Sequence, residues 1–303
     1  MKVSFVTCDV FTEKPFAGNP LLVVPDARSL TSAQMQAIAR EINYSESTFV
    51  LPPADPNHAY RQRTFVPLKE IPYAGHPTVG TAVVMASRGK VAAGSGDGTI
   101  PVTIEVGFGP LSLELFRKGG TVSRVRMTQG KPVFGQPVTA QDVLGKIAAA
   151  LGVPYDALHR DLRPRAVGTG NTFLMAPLAD VSAVANATAD TRLLNLLEAE
   201  LDVLGVYFFA FAESGRMRAR LFAPGAGVPE DPATGSAAGP LGVYLALQDA
   251  LPGGSPRFFI DQGSEIGRPS EIEVEVLGAP GARPEGVKVA GSAVLMMDGT
   301  IDV

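Results

Sequence analysis

An internal repeat limits the folds that this chain of 303 residues can adopt. The segments "RQRTFVPLKEIPYAGHPTVGTA", beginning at Arg61, and "RARLFAPGAGVPEDPATGSAA", beginning at Arg218, share the pattern Arg-x-Arg-x-Phe-x-Pro. After a gap of two residues they match again, and this second match aligns His76 with Asp231. The copies lie about half a chain apart, which favours two duplicated domains over a solenoid with repeats of about 20 to 50 residues.

The composition argues against nucleic-acid binding and against a membrane protein. A hydrophobic content of 46% with 18% charged residues is typical of a soluble globular protein. The net charge is −4 and no basic stripe is present, so we expect no nucleic-acid partner. Apolar runs such as "VYFFAFA" at 206–212 are too short to span a bilayer, and the N-terminus lacks the apolar region of a signal peptide. We therefore expect a cytoplasmic protein.

The motif content predicts neither a metal nor a cofactor. Cys8 is the only cysteine, which leaves no partner for an intramolecular disulfide or a thiolate metal cluster, and its apolar neighbours predict a core position. There is no P-loop, no Gly-x-Gly-x-x-Gly after a first strand and no His-Glu-x-x-His motif. His58 and His159 stand outside the repeat and are interpreted as structural or exposed residues.

Short strand-like runs alternate with a few helices in both halves. Thr31, followed three residues later by Gln34, has the capping-box spacing before "MQAIAREI". Further helices are predicted at "TVGTAVVMASRG", at about 140–151 and at "TRLLNLLEAEL", whereas "GKVAAGSGDGTIP" has the composition of a loop. The predicted strands are 3–9, 21–24, 47–51, 60–66, 100–106, 111–116, 122–127, 172–176, 205–211, 218–223, 257–260, 271–276 and 287–297.

Each copy of the repeat places polar residues directly before a helix. In "VPEDPATGSAAGP" the proline after Asp231 predicts an extended Asp231, and the small residues that follow predict a helix start capped at about Ser236. If the two domains face each other, the helix N-termini at about Thr78 and Ser236 point into one cleft that favours an anion, with His76 and Asp231 beside it. The competing interpretations are an ordinary helix cap and a hydrogen-bonded core histidine.

Five segments in order resemble the signatures of the PhzF family, named for the phenazine-biosynthesis isomerase: "DVFTEKPFAGNPLLVV", "EINYSESTFVLPP", "YAGHPTVGTA", "RLFAPGAGVPEDPATGSAAG" and "QGSEIGRPSEIEVEV". The resemblance implies an α+β fold of two pseudo-symmetric diaminopimelate-epimerase-like domains. Each domain would be a curled, mostly antiparallel sheet around a central helix. It implies domains at 1–120 and 121–286, with a closing strand at about 287–303 returning to the first domain.

The resemblance also implies the site residues. Glu46 in "NYSEST" occupies the position of the family's catalytic glutamate, although its local sequence alone indicates only an exposed residue at a strand start. His76 and Asp231 would be the supporting catalytic groups. The substrate-binding residues would be Gly75, Gly235, Ser236 and Asn19.

The implied function is a cofactor-independent isomerase that moves a proton between carbons of a small carboxylate substrate. It would be similar to trans-2,3-dihydro-3-hydroxyanthranilate isomerase, with Glu46 as general acid and base, and would form a homodimer. Two-thiol epimerisation is excluded because Cys8 is the only thiol. The segment "FVPLKEIPYAGHP" departs from the phenazine isomerases, which tend to have Thr before the proline and Phe before Ala-Gly-His, so the substrate stays open. The alternative is a non-catalytic protein that binds small acids.

Overall fold

The chain forms two compact units in the computed structural model, which describes residues 1–73, 75–91, 94, 96–279 and 281–303. The first unit contains Met1–Thr128 and Ala290–Val303, and the second contains Gln129–Val289.

The first unit is mostly sheet with two helices. Its elements are β1 (Lys2–Val10), β2 (Asn19–Val24), α1 (Ser32–Ile42), β3 (Glu46–Leu51), β4 (Arg61–Phe65), β5 (Glu70–Ile71), α2 (Gly75–Ser87), β6 (Gly98–Val106), β7 (Gly109–Lys118) and β8 (Thr121–Thr128).

The described residues of the second unit likewise form a sheet with four α-helices. Its elements are β9 (Val133–Pro137), α3 (Gln141–Ala150), β10 (Arg165–Gly168), β11 (Thr172–Pro177), α4 (Val181–Asn186), α5 (Thr191–Leu201), β12 (Val206–Phe211), β13 (Arg216–Ala223), β14 (Val228–Asp231), α6 (Gly235–Leu247), β15 (Arg257–Gln262), β16 (Ser270–Leu277) and the start of β17 (Gly286–Asp302). From residue 290 onward, β17 belongs to the first unit, where it pairs antiparallel with β1.

The strand pairing follows the same order in both units. In the first unit β2 pairs antiparallel with β1 and parallel with β3, and β4 pairs antiparallel with β3 and β5 and parallel with β6. In the second unit β11 pairs antiparallel with β10 and parallel with β12, and β13 pairs antiparallel with β12 and β14 and parallel with β15. The repeat seen in the sequence is therefore also a repeat of topology.

Each unit surrounds one helix that has no polar face. Every residue of α2 from Gly75 to Met85 is buried, and so is every residue of α6 from Gly235 to Leu245. A helix that is apolar all round must be enclosed by other elements, and α2 packs on β1, β2 and β8 while α6 packs on β10, β11 and β16. The predicted α+β class with a central helix in each half is confirmed. Of the helices in the described ranges, none is both long and apolar enough to cross a membrane.

Local sequence signals located most elements but missed the shortest ones. The Thr31–Gln34 capping box is present at the start of α1. The helix predicted near Thr78 begins earlier, at Gly75. The domain boundary expected at residue 120 lies in the turn between β7 and β8, whereas the first unit continues to Thr128. The predicted loop at 89–101 lies partly outside the described residues. The elements without a sequence prediction are β5, β9, β10, β14 and α4.

Close helix–sheet packing around α2 predicts a cost for adding one methyl group. A Cβ at Gly80 would lie 2.6 Å from Leu21 Cδ2 and 2.7 Å from Val10 Cγ2. We expect Gly80→Ala to lower the free energy of unfolding by up to about 2 kcal/mol, because an overpacking cost of about 1–3 kcal/mol is offset only in part by the helix-propensity gain of about 1 kcal/mol. Gly145→Ala in α3 is the control and should be stabilising, since a Cβ at Gly145 would have no neighbour within 4 Å among the described residues. Urea denaturation measures the free energy of unfolding of both variants. An equal increase in this free energy for both variants would contradict the collision inferred at Gly80.

Candidate active site

Three of the predicted site residues meet in the first unit. Asn19 and Glu46 are the first residues of the parallel neighbours β2 and β3, and His76 is the second residue of α2. His76 Nδ1 lies 2.9 Å from Glu46 Oε2 and 3.1 Å from Asn19 Nδ2. Residues far apart in the sequence therefore form one polar cluster where two strands begin.

Ser45 completes this cluster and was not predicted from the sequence. Its hydroxyl donates a hydrogen bond to Asn19 Oδ1 over 2.9 Å. Ser45 ends the segment between α1 and β3, directly before Glu46. Nothing in the local sequence distinguishes it from any polar residue before a strand, because its role depends on the pairing of β2 with β3.

One buried polar atom of the cluster has no hydrogen-bond partner in the described part of the chain. The side chain of His76 is 2% exposed, whereas that of Glu46 is 16% exposed. His76 Nε2 is buried and has no hydrogen-bond partner among the described residues. A buried polar atom normally has a partner, so a core histidine with both nitrogens bonded does not describe His76, and Nε2 is a position where a ligand could bind.

Asp231 is held by a second network, in the second unit. It ends β14, extended as the following Pro232 predicts. Thr234 Oγ1 donates to Asp231 Oδ2 over 2.6 Å. Gln262 Nε2 donates to the backbone oxygen of Asp231 over 2.8 Å and to Thr234 Oγ1 over 2.9 Å, and Gln262 Oε1 accepts the Thr234 N–H over 3.1 Å. The carboxyl group is therefore fixed in orientation next to the start of α6.

The N-terminus of α6 contains the two predicted substrate-binding residues of this unit. Gly235 and Ser236 are the first two residues of the helix, and the N-cap is Thr234. The prediction of Ser236 as the cap was therefore wrong, because the cap lies two residues earlier, at Thr234, whose hydroxyl donates to Asp231. Gln129 Nε2 donates to the Gly235 backbone oxygen over 2.8 Å and fixes this turn. Gly75 has the equivalent place, as the first residue of α2.

The second arginine of each repeat copy makes a bidentate ion pair. Arg63 donates from Nε and Nη2 to Glu70 over 2.7 and 2.6 Å, and Arg220 donates from the same atoms to Glu230 over 2.8 and 2.9 Å. Each pair joins the repeat strand to the short strand that precedes the central helix. Arg220 also donates to the backbone oxygens of residues 184, 185 and 187. The shared arginines therefore brace the segments that lead to His76 and Asp231.

Cys8 is a core residue, as predicted. It lies in β1 with no exposed surface, and burial, with a smaller contribution from the neighbouring Asp9, raises the pKa of its thiol. A thiol in this environment is inert. In the part of the chain that the structure describes, no group of three or more His, Cys, Asp or Glu side chains could hold a metal ion.

Comparisons with known proteins agree over nearly the whole chain. The family model described as phenazine biosynthesis-like protein, PhzC-PhzF, matches residues 8–299. The chain belongs to this family. The trans-2,3-dihydro-3-hydroxyanthranilate isomerase of Pseudomonas fluorescens is 36% identical over 303 residues, covering 98% of this chain and 99% of the relative.

Solved structures of the PhzF family share the fold. A PhzF-family protein of Bacillus anthracis superposes with a TM-score of 0.85 at 25% identity, covering 100% of both chains. A "predicted epimerase" of Pseudomonas aeruginosa superposes with a TM-score of 0.82 at 30% identity, covering 99% of both chains. The protein is thus a PhzF-family isomerase with an epimerase-like fold.

Strand pairing extends the repeat of this PhzF-family chain to the strands that precede the repeated segments. Phe65 and Phe222 are matched residues of the repeat, and they pair with Ser47 and Val206. The residues directly before these partners, Glu46 and Gly205, are therefore equivalent positions. On the neighbouring parallel strands, Leu22 pairs with Ser47 and Leu174 pairs with Val206. This pairing aligns the Gly-Asn dipeptides of "GNPLLV" at 18–23 and "GNTFLM" at 170–175. Asn171 is therefore the position equivalent to Asn19.

A buried carboxyl group supports the loop before Asp231. Glu198 of α5 is 8% exposed, and its Oε2 accepts the Gly225 N–H over 3.0 Å. Its Oε1 is buried without a partner in the described ranges. Burial raises the pKa of Glu198 from 4.5 to about 7, against a smaller lowering effect of the Gly225 hydrogen bond.

This raised pKa predicts a pH-dependent stability of the PhzF-family fold. Between about pH 4.5 and 7 the unfolded chain ionises Glu198 while the folded chain keeps its proton, so the free energy of unfolding falls as pH rises. Glu198→Gln removes this dependence and keeps an acceptor for Gly225. The Tm of Glu198→Gln minus the Tm of wild type should therefore be larger at about pH 8 than at about pH 5.

The exposed Glu200→Gln on the same helix is the matched control, because its ion pair with Lys146 is exposed and worth little. Thermal unfolding at both pH values makes the comparison. A Glu198→Gln variant with the wild-type pH dependence would show that Glu198 is already ionised in the fold.

Proposed function

We propose that this PhzF-family isomerase moves a proton between two carbons of a small carboxylate substrate, with Glu46 as general acid and base and without a cofactor. The observation that carries the proposal is the cluster in the first unit. Glu46 Oε2 lies 2.9 Å from the buried His76 Nδ1, while the Glu46 side chain keeps 16% of its surface exposed. This carboxyl group is both anchored and accessible to a ligand.

One carboxyl group is sufficient for this chemistry. It takes a proton from one carbon of the substrate, holds it while charge spreads over the conjugated system, and returns it to another carbon. Because Cys8 is buried in β1 and its thiol pKa is raised, a thiol base is not the alternative. The proton balance closes on Glu46 alone, and neither an oxidant nor a reductant is needed.

The helix N-termini suit the substrate carboxylate. Gly235 and Ser236 begin α6, and Gly75 begins α2, so the residues that the family resemblance implies for binding contribute the first backbone N–H groups of each helix, which have no acceptor within the helix itself. Such N–H groups and the helix dipole favour an anion and stabilise charge that develops during proton transfer. We propose His76 and Asp231 as the supporting catalytic groups, as the family resemblance implies.

The relatives suggest the first compound to test. The relative from Pseudomonas fluorescens is a trans-2,3-dihydro-3-hydroxyanthranilate isomerase, and we propose a substrate of the same chemical class. Tyr73, where the phenazine isomerases tend to have Phe, is 1% exposed and directs its hydroxyl to Met127 Sδ over 3.3 Å. The additional hydroxyl is therefore accommodated inside the first unit, which favours a similar ligand.

We also propose a homodimer, as the family resemblance implies. We propose a cytoplasmic location from the sequence pattern, and no nucleic-acid partner because the net charge is −4 and no basic stripe is present. Sedimentation equilibrium of the purified protein tests the assembly, and a single species of twice the chain mass is the expected result.

Substitution of Glu46 separates the isomerase from the binding-protein alternative. Glu46→Gln keeps the shape of the side chain and removes the proton-carrying group, so turnover should fall by roughly 100-fold to 10,000-fold. The exposed Glu41→Gln, five residues away in α1, is the control and should keep the wild-type rate. The measurement is NMR of trans-2,3-dihydro-3-hydroxyanthranilate in deuterated water, which follows both isomerisation and deuterium uptake at carbon.

Ligand affinity completes this experiment. A carboxylate held mainly by backbone N–H groups should bind Glu46→Gln about as well as wild type, because the substitution changes the transition state more than the ground state. Binding without turnover or carbon exchange in the wild-type protein would support the small-acid binding protein. Turnover of Glu46→Gln at the wild-type rate would remove Glu46 from the mechanism.

A further inference from the structure

A small cavity in the second unit shares no residue with the candidate active site. Its volume is about 210 Å³, and its wall is formed by Leu144 of α3 and by residues between 155 and 164, in the segment that follows α3. Pockets for drug-sized ligands are larger, roughly 300–1,000 Å³. The cavity therefore has the size for a small molecule.

The segment that lines the cavity is fixed by hydrogen bonds to its backbone. The His159 N–H donates to the last residue of β11 over 3.0 Å. Val138 donates its N–H to the Pro164 oxygen over 2.7 Å, and Tyr244 of α6 donates its hydroxyl to the Arg163 oxygen over 2.8 Å. The wall of the cavity is therefore held in place by its own unit, without a ligand.

The ring of His159 is oriented within this wall. Its Nδ1 accepts the backbone N–H groups of Asp161 and Leu162, both over 3.2 Å, and its ring centroid lies 6.2 Å from that of Phe211. A ring nitrogen that accepts hydrogen bonds carries no proton, so the ring proton lies on Nε2. Nε2 has no hydrogen-bond partner among the described residues and is available as a donor.

Two arginines of the cavity wall, Arg160 and Arg163, form no ion pair with a described residue. Arg216 and Arg220 of β13 differ in this respect, because each pairs with an acidic side chain. Among the described residues of the wall, Asp156 is the one carboxylate. The wall therefore carries a net positive charge, although the net charge of the chain is −4, and favours an anionic ligand.

The rest of the wall is largely apolar. Leu144, Leu158 and Pro164 line the cavity and are buried. An inorganic oxyanion leaves such a surface uncovered, whereas the apolar part of an organic acid removes it from water. A guanidinium group matches a carboxylate in shape and can donate two parallel hydrogen bonds to it. A small organic carboxylate satisfies both parts of this wall.

We propose that this cavity is a second binding site, for a small organic carboxylate with an apolar body. The carboxylate accepts hydrogen bonds from Arg160, Arg163 and the Nε2–H of His159, and the apolar body packs on the two leucines of the wall. The site is separate from the proton transfer proposed for Glu46 and does not depend on it.

Titration of the full chain with benzoate tests the site. Benzoate has a carboxylate and an apolar ring, whereas benzamide has the same shape and no charge. The measurement is the chemical shift of the assigned backbone amide signals of residues 158–163 in ¹⁵N-labelled protein, which separates binding at this cavity from binding elsewhere on the chain. Benzoate should shift these signals to saturation. Benzamide should bind at least about tenfold more weakly, because it carries no charge to pair with the guanidinium groups.

Substitution of the arginines tests the cause. Both side chains are exposed, so the double variant Arg160→Gln/Arg163→Gln should keep the wild-type Tm. It should raise the Kd of benzoate at least about tenfold, because hydrogen bonds between charged groups are lost. Arg192→Gln is the matched control, at an exposed arginine of α5 in the same unit that does not line the cavity, and should keep the wild-type Kd.

Four results would each contradict this second site. Signals of residues 158–163 that do not respond to benzoate in the wild-type protein exclude binding at the cavity. Equal affinities for benzoate and benzamide reduce it to an apolar cavity without a role for charge. An unchanged Kd in the double variant excludes the arginines. Inorganic phosphate that binds as tightly as benzoate shows that the apolar wall is not used.

Discussion

Complete burial of the central helices is the constraint on which the rest of the structure depends. Neither α2 nor α6 has a polar face, so each must be enclosed by its own sheet. The close approach needs residues such as Gly80, where a side chain would collide with β1 and β2. Because the helices are enclosed, their first turns lie among the strand ends, and polar residues there are buried and must be held by hydrogen bonds. The site follows from this packing.

Packing also explains why the two copies differ in chemistry. The position equivalent to Glu46 is Gly205, where a Cβ would lie 2.7 Å from the Phe222 backbone oxygen and 2.8 Å from Ala223 Cβ. A carboxylic side chain does not fit there without movement of the backbone. The second copy instead presents Asp231, bonded by Thr234. A duplicated fold in which Glu46 occupies one of two equivalent positions and Gly205 the other suits the proposed mechanism, in which a single carboxyl group both takes and returns the proton.

The sequence predicted what depends on local pattern and missed what depends on strand pairing. The capping box of α1, the extended Asp231 and the two similar halves follow from spacing, turn chemistry and repetition. Ser45 was missed because its contact with Asn19 depends on the pairing of strands. The strands β5 and β14 were missed because segments of two and four residues are too short to show a periodic pattern. Glu46 was identified only through the family resemblance, since a glutamate at a strand start is ordinarily exposed.

The proposed function depends on Glu46 as the group that takes and returns the proton of a small carboxylate. A crystal structure of the protein with a carboxylate-bearing aromatic analogue of dihydro-hydroxyanthranilate is the measurement that bears on this role. We expect a Glu46 oxygen about 3–3.5 Å from a ring carbon of the ligand, with His76 in contact with the same molecule. A bound ligand with Glu46 away from every ring carbon would rule out this role.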